Sequence, residues 1–199
     1  IRYTLDGSDP SASSERYTEP LLFENHTTVK SALFLPGGRR SGTSESQVLL
    51  TDHAPEGKEY GAAYSYYEGD FSAVFPAFPD SLRKTEGHTY SLNLEGIPHR
   101  PDNFGIRFSG LLDIKEKGDY TISILADDVF QFYLDGKLTA QTGQYTGRPV
   151  DATAALAPGY HTFTLSFYEK GGNQRLRIEL QHPGGKKTAV PPWMLLKEK

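Results

Sequence analysis

Apolar and polar residues alternate with a period of two over much of the second half of the chain. Tyr120-Thr-Ile122-Ser-Ile124 sets three apolar side chains on one side and hydroxyls on the other, the pattern of a strand with one buried face. Phe130-Gln-Phe132-Tyr-Leu134 repeats the pattern and runs into Asp135-Gly136, which predicts a tight hairpin. Phe163, Leu165 and Phe167 share one face of another strand, opposite Thr162, Thr164, Ser166 and Tyr168. After Glu169-Lys-Gly-Gly-Asn-Gln174 the alternation resumes over residues 175–180, predicting a hairpin closed by a Gly-Gly turn. Phe104, Ile106 and Phe108 form an earlier strand that continues through Gly110, read as a bulge, to Leu112 and Ile114. No comparable segment carries the 3.6-residue period of a helix. The pattern predicts an all-β fold.

The first fifty residues read as a separate unit. Ile1, Tyr3 and Leu5 alternate with polar residues before the turn Asp6-Gly-Ser-Asp-Pro10. Val29, Ser31 and Leu33 then alternate with Lys30 and Ala32 before Pro36-Gly-Gly-Arg-Arg40 turns the chain again. Residues 53–60 are polar and broken by Pro55 and Gly57, so they are expected to link a domain over 1–52 to a second over 61–199. A β-sandwich of this kind usually takes roughly 100 residues, and Ile1 already lies inside a strand pattern. The first domain is therefore expected to be incomplete at its N-terminus.

Composition agrees with short strands and tight turns. The 199 residues include 20 glycines, 13 prolines, 12 tyrosines and 11 phenylalanines. The net charge is −4 and neither sign is concentrated in one region, which argues against a nucleic-acid partner. No apolar run approaches the roughly 18 residues of a membrane span. The absence of cysteine removes disulfides, thiolate metal sites and thiol nucleophiles together.

Two family resemblances cover nearly the whole chain. Ile1-Arg-Tyr-Thr-Leu-Asp-Gly-Ser-Asp-Pro10, with Tyr17-Thr-Glu-Pro20 and Thr28-Val-Lys30, resembles the fibronectin-like β domain that follows the catalytic barrel of chitobiases and β-N-acetylhexosaminidases. From about residue 58 the chain resembles the protective-antigen fourteen-kilodalton (PA-14) domain. The matching stretches are Tyr66-Tyr-Glu-Gly69, residues 102–110, Gly118-Asp-Tyr-Thr121, Asp127-Asp128, residues 132–137, Pro158-Gly-Tyr-His161 and Tyr168-Glu-Lys-Gly-Gly172. The resemblance implies part of a fibronectin- or immunoglobulin-like domain followed by a PA-14 β-barrel or sandwich. The order of the two modules resembles the C-terminal region of a secreted bacterial glycoside hydrolase of the β-N-acetylhexosaminidase type, periplasmic or at the cell surface.

The resemblance also names a site. In fungal adhesins of the PA-14 family, the residues matching Asp127 and Asp128 hold a Ca²⁺ that sugar hydroxyls complete, a chemistry suited to a hard cation with oxygen ligands. Neighbouring side chains of a regular strand face opposite ways, so the pair can share a cation only where the backbone leaves strand geometry. The same two residues could instead serve a turn by bonding its backbone. The third ligand of those adhesins is an Asn on a neighbouring loop. It has no motif match here, and Asn173 is taken by position. Carbohydrate could also stack on Tyr145, in the loop Gln141–Arg148, with Arg148 as a hydroxyl donor. Tyr64, Tyr66 and Tyr67 are weighed likewise, although strand packing accounts for the last two.

Signs of catalysis are few. Glycosidase chemistry needs two carboxyl groups about 5–9.5 Å apart across a cleft. Glu68 with Asp70 or Asp102 are the pairs that can be drawn, and both lie in motifs that read as turns and strand ends. No His-Glu-x-x-His, Gly-x-Ser-x-Gly or phosphate-loop string occurs, and no His-x-Gly-Gly-Asp-Glu string like that of the hexosaminidase active site. The expectation is a non-catalytic, carbohydrate-binding accessory region whose partners are a glycan and the catalytic domain of its parent. The competing reading is a structural spacer or docking module with no ligand.

Overall fold

The computed structural model describes residues 1–73 and 75–199. It is all-β, and the chain divides into two compact units, 1–54 and 55–199. In the first unit, β1 (Arg2–Thr4), β2 (Glu15–Arg16), β3 (Thr27–Ala32) and β4 (Ser44–Val48) form an antiparallel sheet in the order β2-β1-β3-β4. The alternation expected there gives only part of a buried face. Tyr3 and Ala32 are buried, whereas Ile1, Leu5 and Leu33 are exposed, so few apolar side chains are covered.

The second unit contains β5 (Lys58–Tyr60), β6 (Ala62–Glu68), β7 (Arg83–Thr89), β8 (Phe104–Ile114), β9 (Gly118–Asp127) and β10 (Val129–Leu134). It continues with β11 (Lys137–Thr142), β12 (Val150–Leu156), β13 (Gly159–Glu169), β14 (Arg175–Gln181), β15 (Thr188–Ala189) and β16 (Leu195–Glu198). An eight-stranded sheet runs β11-β10-β13-β8-β16-β5, with β6 joining β8 to β7; a four-stranded sheet runs β12-β9-β14-β15. Strand β5 falls within the stretch read as a linker and pairs with β16, so that stretch is partly sheet.

The inward residues of both sheets make one core. Phe104, Ile106, Phe108, Phe130, Phe132, Phe163, Leu165 and Phe167 come from the larger sheet, and Ile122, Ile124, Leu176 and Ile178 from the smaller. On the outer face, Tyr67, Phe71, Phe78 and Tyr168 form a second cluster, with Phe75, Leu82 and Val129 packed against it. Tyr66 and Tyr67 are accordingly packing residues, 4% and 2% exposed.

Two sequence expectations are corrected. Gly110 is not a bulge, since β8 pairs with β13 in unbroken register from Phe104 to Ile114. Along its other edge, β8 pairs first with β6 and then with β16, and a Cβ on Gly110 would lie 2.7 Å from the Leu196 carbonyl. The residue is glycine because a backbone passes so close. Nor do β13 and β14 form a hairpin. β13 pairs with β8 and β10, and β14 with β9 and β15, so the Gly-Gly turn carries the chain from one sheet to the other. Alternation marks which side chains face inward, but it is identical for a turn that stays in its sheet and one that crosses. The Asp135-Gly136 hairpin, β10 to β11, forms as expected, with Asp135 at φ 49° and Gly136 at φ 74°.

Candidate functional site: two sheet crossings and a pocket

The acidic pair sits at a crossing. Asp127 ends β9 in the smaller sheet, Val129 begins β10 in the larger, and Asp128 alone separates them. The peptide between Asp127 and Asp128 is cis. Beside it lies the second crossing, residues 170–174, because Val129 pairs with Tyr168 and Arg175 with Asp127. Asp128 Oδ2 accepts the Lys170 N–H at 2.8 Å and the Gly171 N–H at 3.3 Å, and Asp102 Oδ1 accepts the Gly172 N–H at 3.1 Å. A third segment closes the frame: the Gln174 side-chain amide donates to the Pro101 carbonyl at 2.6 Å, and its Oε1 lies 2.9 Å from His99 Nε2.

Beneath the pair is Glu169. Strand parity puts it on the face of Phe163, Leu165 and Phe167, where it opposes Phe104 in the ladder and is 0% exposed. Neither carboxyl oxygen makes a hydrogen bond of full geometry to a described residue. Burial pushes this carboxyl up to about 8. The charges of Asp128, Asp127 and Asp102 add to the effect, while the Gly171 N–H opposes it. Burial also pushes the Asp127 carboxyl up, followed by the Asp128 charge, with Arg175 pulling the other way.

A pocket of about 430 Å³ opens beside Asp128, lined by Ser72, Phe75, Asp128, Gln144, Tyr168 and Lys170 among others. Its floor is Tyr168, whose hydroxyl donates to Asp70 Oδ1 at 2.8 Å. The Ser72 hydroxyl and amide and the Tyr168 hydroxyl together hold Asp70 down to about 2. One aromatic wall and several polar groups are the usual lining of a small-molecule site.

The sequence-derived residues distribute unevenly around this pocket. Asp128 lines it and Asp127 adjoins it. Tyr145, 40% exposed, accepts an Arg175 Nη1–H at 3.3 Å and is thereby tied to the strand position opposite Asp127. Arg148 is exposed farther along the same loop, where its carbonyl accepts the Thr146 hydroxyl at 2.8 Å, and it is not among the lining residues. Asn173 is exposed in the second crossing, next to the glycines that bond Asp128 and Asp102. The carboxylate pairs considered for catalysis are engaged elsewhere. Glu68 accepts the Tyr66 hydroxyl and faces Arg100 at 3.8 Å, Asp70 holds Tyr168, and Asp102 holds Gly172.

Sequence reading missed Ser72, Phe75, Gln144, Lys170 and Glu169. Only Glu169 carried a usable signal: extending the Phe163-Leu165-Phe167 parity by one step puts a carboxylate in a core position.

Two adjacent carboxylates bring like charges together, which a hard divalent cation would relieve. Among the described residues, no three His, Cys, Asp or Glu side chains converge to hold a metal ion by themselves. Asp127 and Asp128 could supply two ligands. The others would have to be backbone carbonyls, an amide such as Asn173, or the bound molecule itself. No helix among the described residues is long and apolar enough to cross a membrane.

Comparison with known proteins places the fold. The second of two family models that match, Fn3 associated, covers residues 1–48, and no curated protein matches the chain. An anti-sigma factor domain-containing protein is 17% identical with TM-score 0.59; the match covers 70% of this chain and 49% of that one, so this chain spans about half its length. A PA14 sugar-binding domain from an RTX adhesin is 16% identical over 69% of this chain and 98% of the other, with TM-score 0.58. The Epithelial Adhesin 9 A domain of Candida glabrata, in complex with Galβ1-3GlcNAc, is 13% identical over 73% and 93%, with TM-score 0.60. The other matching model, PA14 domain, spans residues 58–198, and the chain belongs to that family.

Proposed function

We propose that residues 55–199 bind a glycan at the Asp127–Asp128 end of the sandwich, without catalysing its cleavage. The observation that carries this reading is the pocket beside Asp128, walled by Phe75 and Tyr168 and rimmed by Ser72, Gln144 and Lys170. An aromatic surface accommodates the apolar face of a sugar, while hydroxyl, amide and ammonium groups bond its hydroxyls. Asp127 and Asp128 would hold Ca²⁺, whose chemistry is to accept vicinal hydroxyls as oxygen ligands. Lys170 and Gly171 fix the Asp128 carboxylate through their amides, Arg175 faces Asp127, and Tyr145 and Arg148 belong to the adjoining flexible-sequence loop as outer contacts. The binding reading is further supported by the similarity to the sugar-binding PA14 domain of the RTX adhesin and by the disaccharide in the fungal adhesin complex.

The parent, on this proposal, is a secreted or surface glycoside hydrolase of the β-N-acetylhexosaminidase type. The support is the resemblance of Ile1–Pro10 to the domain that follows the catalytic barrel in those enzymes. A weak site tethered to a catalytic domain would raise the effective concentration of substrate there.

The test is titration of the chain with oligosaccharides by calorimetry and glycan array, with and without Ca²⁺. Binding that needs Ca²⁺ and is lost in the double variant Asp127→Asn/Asp128→Asn is the expected result. Asparagine Oδ1 can still accept the Lys170 amide, so the variant should fold. Absence of binding under either condition would leave the spacer reading in its place. Turnover of nitrophenyl-hexosaminides above background by this chain would overturn the non-catalytic assignment.

A further inference from the structure

We infer that Glu169 is a positioning residue of the cation site, a buried carboxyl beneath Asp127 and Asp128 that strengthens divalent-cation binding without ligating the ion. The inference rests on the calcium reading above and goes beyond it, because it assigns a role to a residue outside the acidic pair.

Glu169 is placed by the fold rather than by a loop. It is the last residue of β13, on the same face as Phe163, Leu165 and Phe167, and it lies opposite Phe104 at the end of the core. A carboxylate is a costly occupant of such a position. A buried ionisable group is normally paired or hydrogen-bonded, and one that is not needs an explanation such as a bound ion. Neither Glu169 oxygen makes a hydrogen bond of full geometry among the described residues, and the Gly171 N–H is the one donor that acts on it. Among the described residues no Lys or Arg ion pair reaches it; the charges acting on it come from Asp128, Asp127 and Asp102, all of its own sign.

Glu169 therefore ends β13 next to the crossing at residues 170–174, whose Lys170 and Gly171 amides bond Asp128, and no cationic side chain pairs with it among the described residues. It is too far from the pair to join it as a third ligand, because no three acidic side chains converge on one point among the described residues. What remains is action at a distance. With a divalent ion seated on the pair, the ion's own charge favours the ionised form of Glu169, and in a water-excluded end of the core that third negative charge favours a doubly charged ion over a singly charged one. The affinity of a calcium site rises with the number of negative charges around it. A cation seated on the pair would in turn supply the compensating charge that Glu169 lacks.

The experiment is calorimetric titration of the 199-residue chain with Ca²⁺ alone, with melting temperature followed in chelator. Glu169→Gln keeps size and removes charge; Glu169→Asp keeps charge and shortens the side chain. The inference expects Glu169→Gln to weaken Ca²⁺ by about tenfold or more, with a melting temperature in chelator at or above that of the wild type. Glu169→Asp should bind within about threefold of wild type although it melts lower, because it leaves a small void. Charge and packing then move in opposite directions, which a purely structural role does not produce. Glu169→Gln binding Ca²⁺ as tightly as wild type overturns the inference, as does Glu169→Asp falling as far as Glu169→Gln. If the wild-type chain takes up no Ca²⁺, the calcium reading of Asp127 and Asp128 has itself failed, and the wild-type arm alone reveals it.

Discussion

Asp128 Oδ2 accepts the backbone N–H of Lys170 at 2.8 Å, across 42 residues of sequence. That bond joins two of the places where the chain passes between sheets at this end of the sandwich. It also holds one carboxylate of the pair in a fixed orientation before any ligand arrives, which is the main requirement of a preorganised site.

Tyr145 tests the outer edge of that site. It is 40% exposed and held by Arg175 Nη1, so removing its ring should disturb little packing. Tyr145→Ala is expected to lower glycan affinity roughly three- to tenfold, the usual worth of a stacked ring, with an unchanged melting temperature. Calorimetry with the best glycan of an array checks both numbers on one sample.

Glu169 should make metal-free stability depend on pH. Its carboxyl is raised to about 8 in the folded chain against an ordinary value of 4.5, by burial and then by Asp128, Asp127 and Asp102. A folded value above the unfolded one means that the group's contribution is fully present below about pH 4.5 and is lost as pH rises through about 8. Glu169→Gln, which cannot ionise, should therefore stabilise the chain at pH 9 in chelator, by on the order of 3 kcal/mol, and change it little at pH 5. Denaturant melts at the two pH values give the comparison. Equal effects at both would show that the buried carboxyl does not titrate in this range.

His161 titrates with a simpler geometry. Burial pulls its imidazole down, but Asp135 Oδ2 at 2.7 Å from Nδ1 and the Ala157 carbonyl at 2.9 Å from Nε2 outweigh that, and the net direction is up. Both ring nitrogens face acceptors, so the imidazolium is the form that satisfies them. The contact contributes fully below about pH 6.5 and fades as pH rises through the folded value. His161→Gln should remove that slope from a plot of melting temperature against pH. An imidazole titration by NMR at or below the ordinary histidine value would contradict the assignment.

Gly110 predicts a purely steric effect. An added Cβ would meet the Leu196 carbonyl at 2.7 Å and the Phe163 ring at 3.1 Å. Gly110→Ala is expected to cost about 1–3 kcal/mol and to loosen β16, visible as faster amide exchange at Leu196.

These residues also show what a reader of the bare chain can and cannot recover. The facing of Phe104, Phe130, Phe163 and Leu176 follows from alternation alone, and the Asp135-Gly136 hairpin follows from its turn chemistry. Strand partnership does not follow, because β13 and β14 carry the same pattern whether they pair or face each other across the core. The pocket was out of reach for that reason. Ser72, Gln144 and Lys170 meet only through the crossings, and no local signal joins segments so far apart. Asp127 and Asp128 were found through family likeness, whereas composition and periodicity gave them no distinction from any acidic turn.

The crossings at Asp128 and Lys170 grow directly out of β9, β10, β13 and β14, which share the core, and Ser72 and Phe75 sit on a segment anchored by buried Phe71 and Phe78, while Gln144 sits on an exposed connecting segment. Such a division of labour separates what must be conserved from what can drift. Exchange of the exposed segment 143–149 would remake one rim of the pocket while leaving its charged anchor intact, so a lineage could vary what the pocket meets without refolding the scaffold.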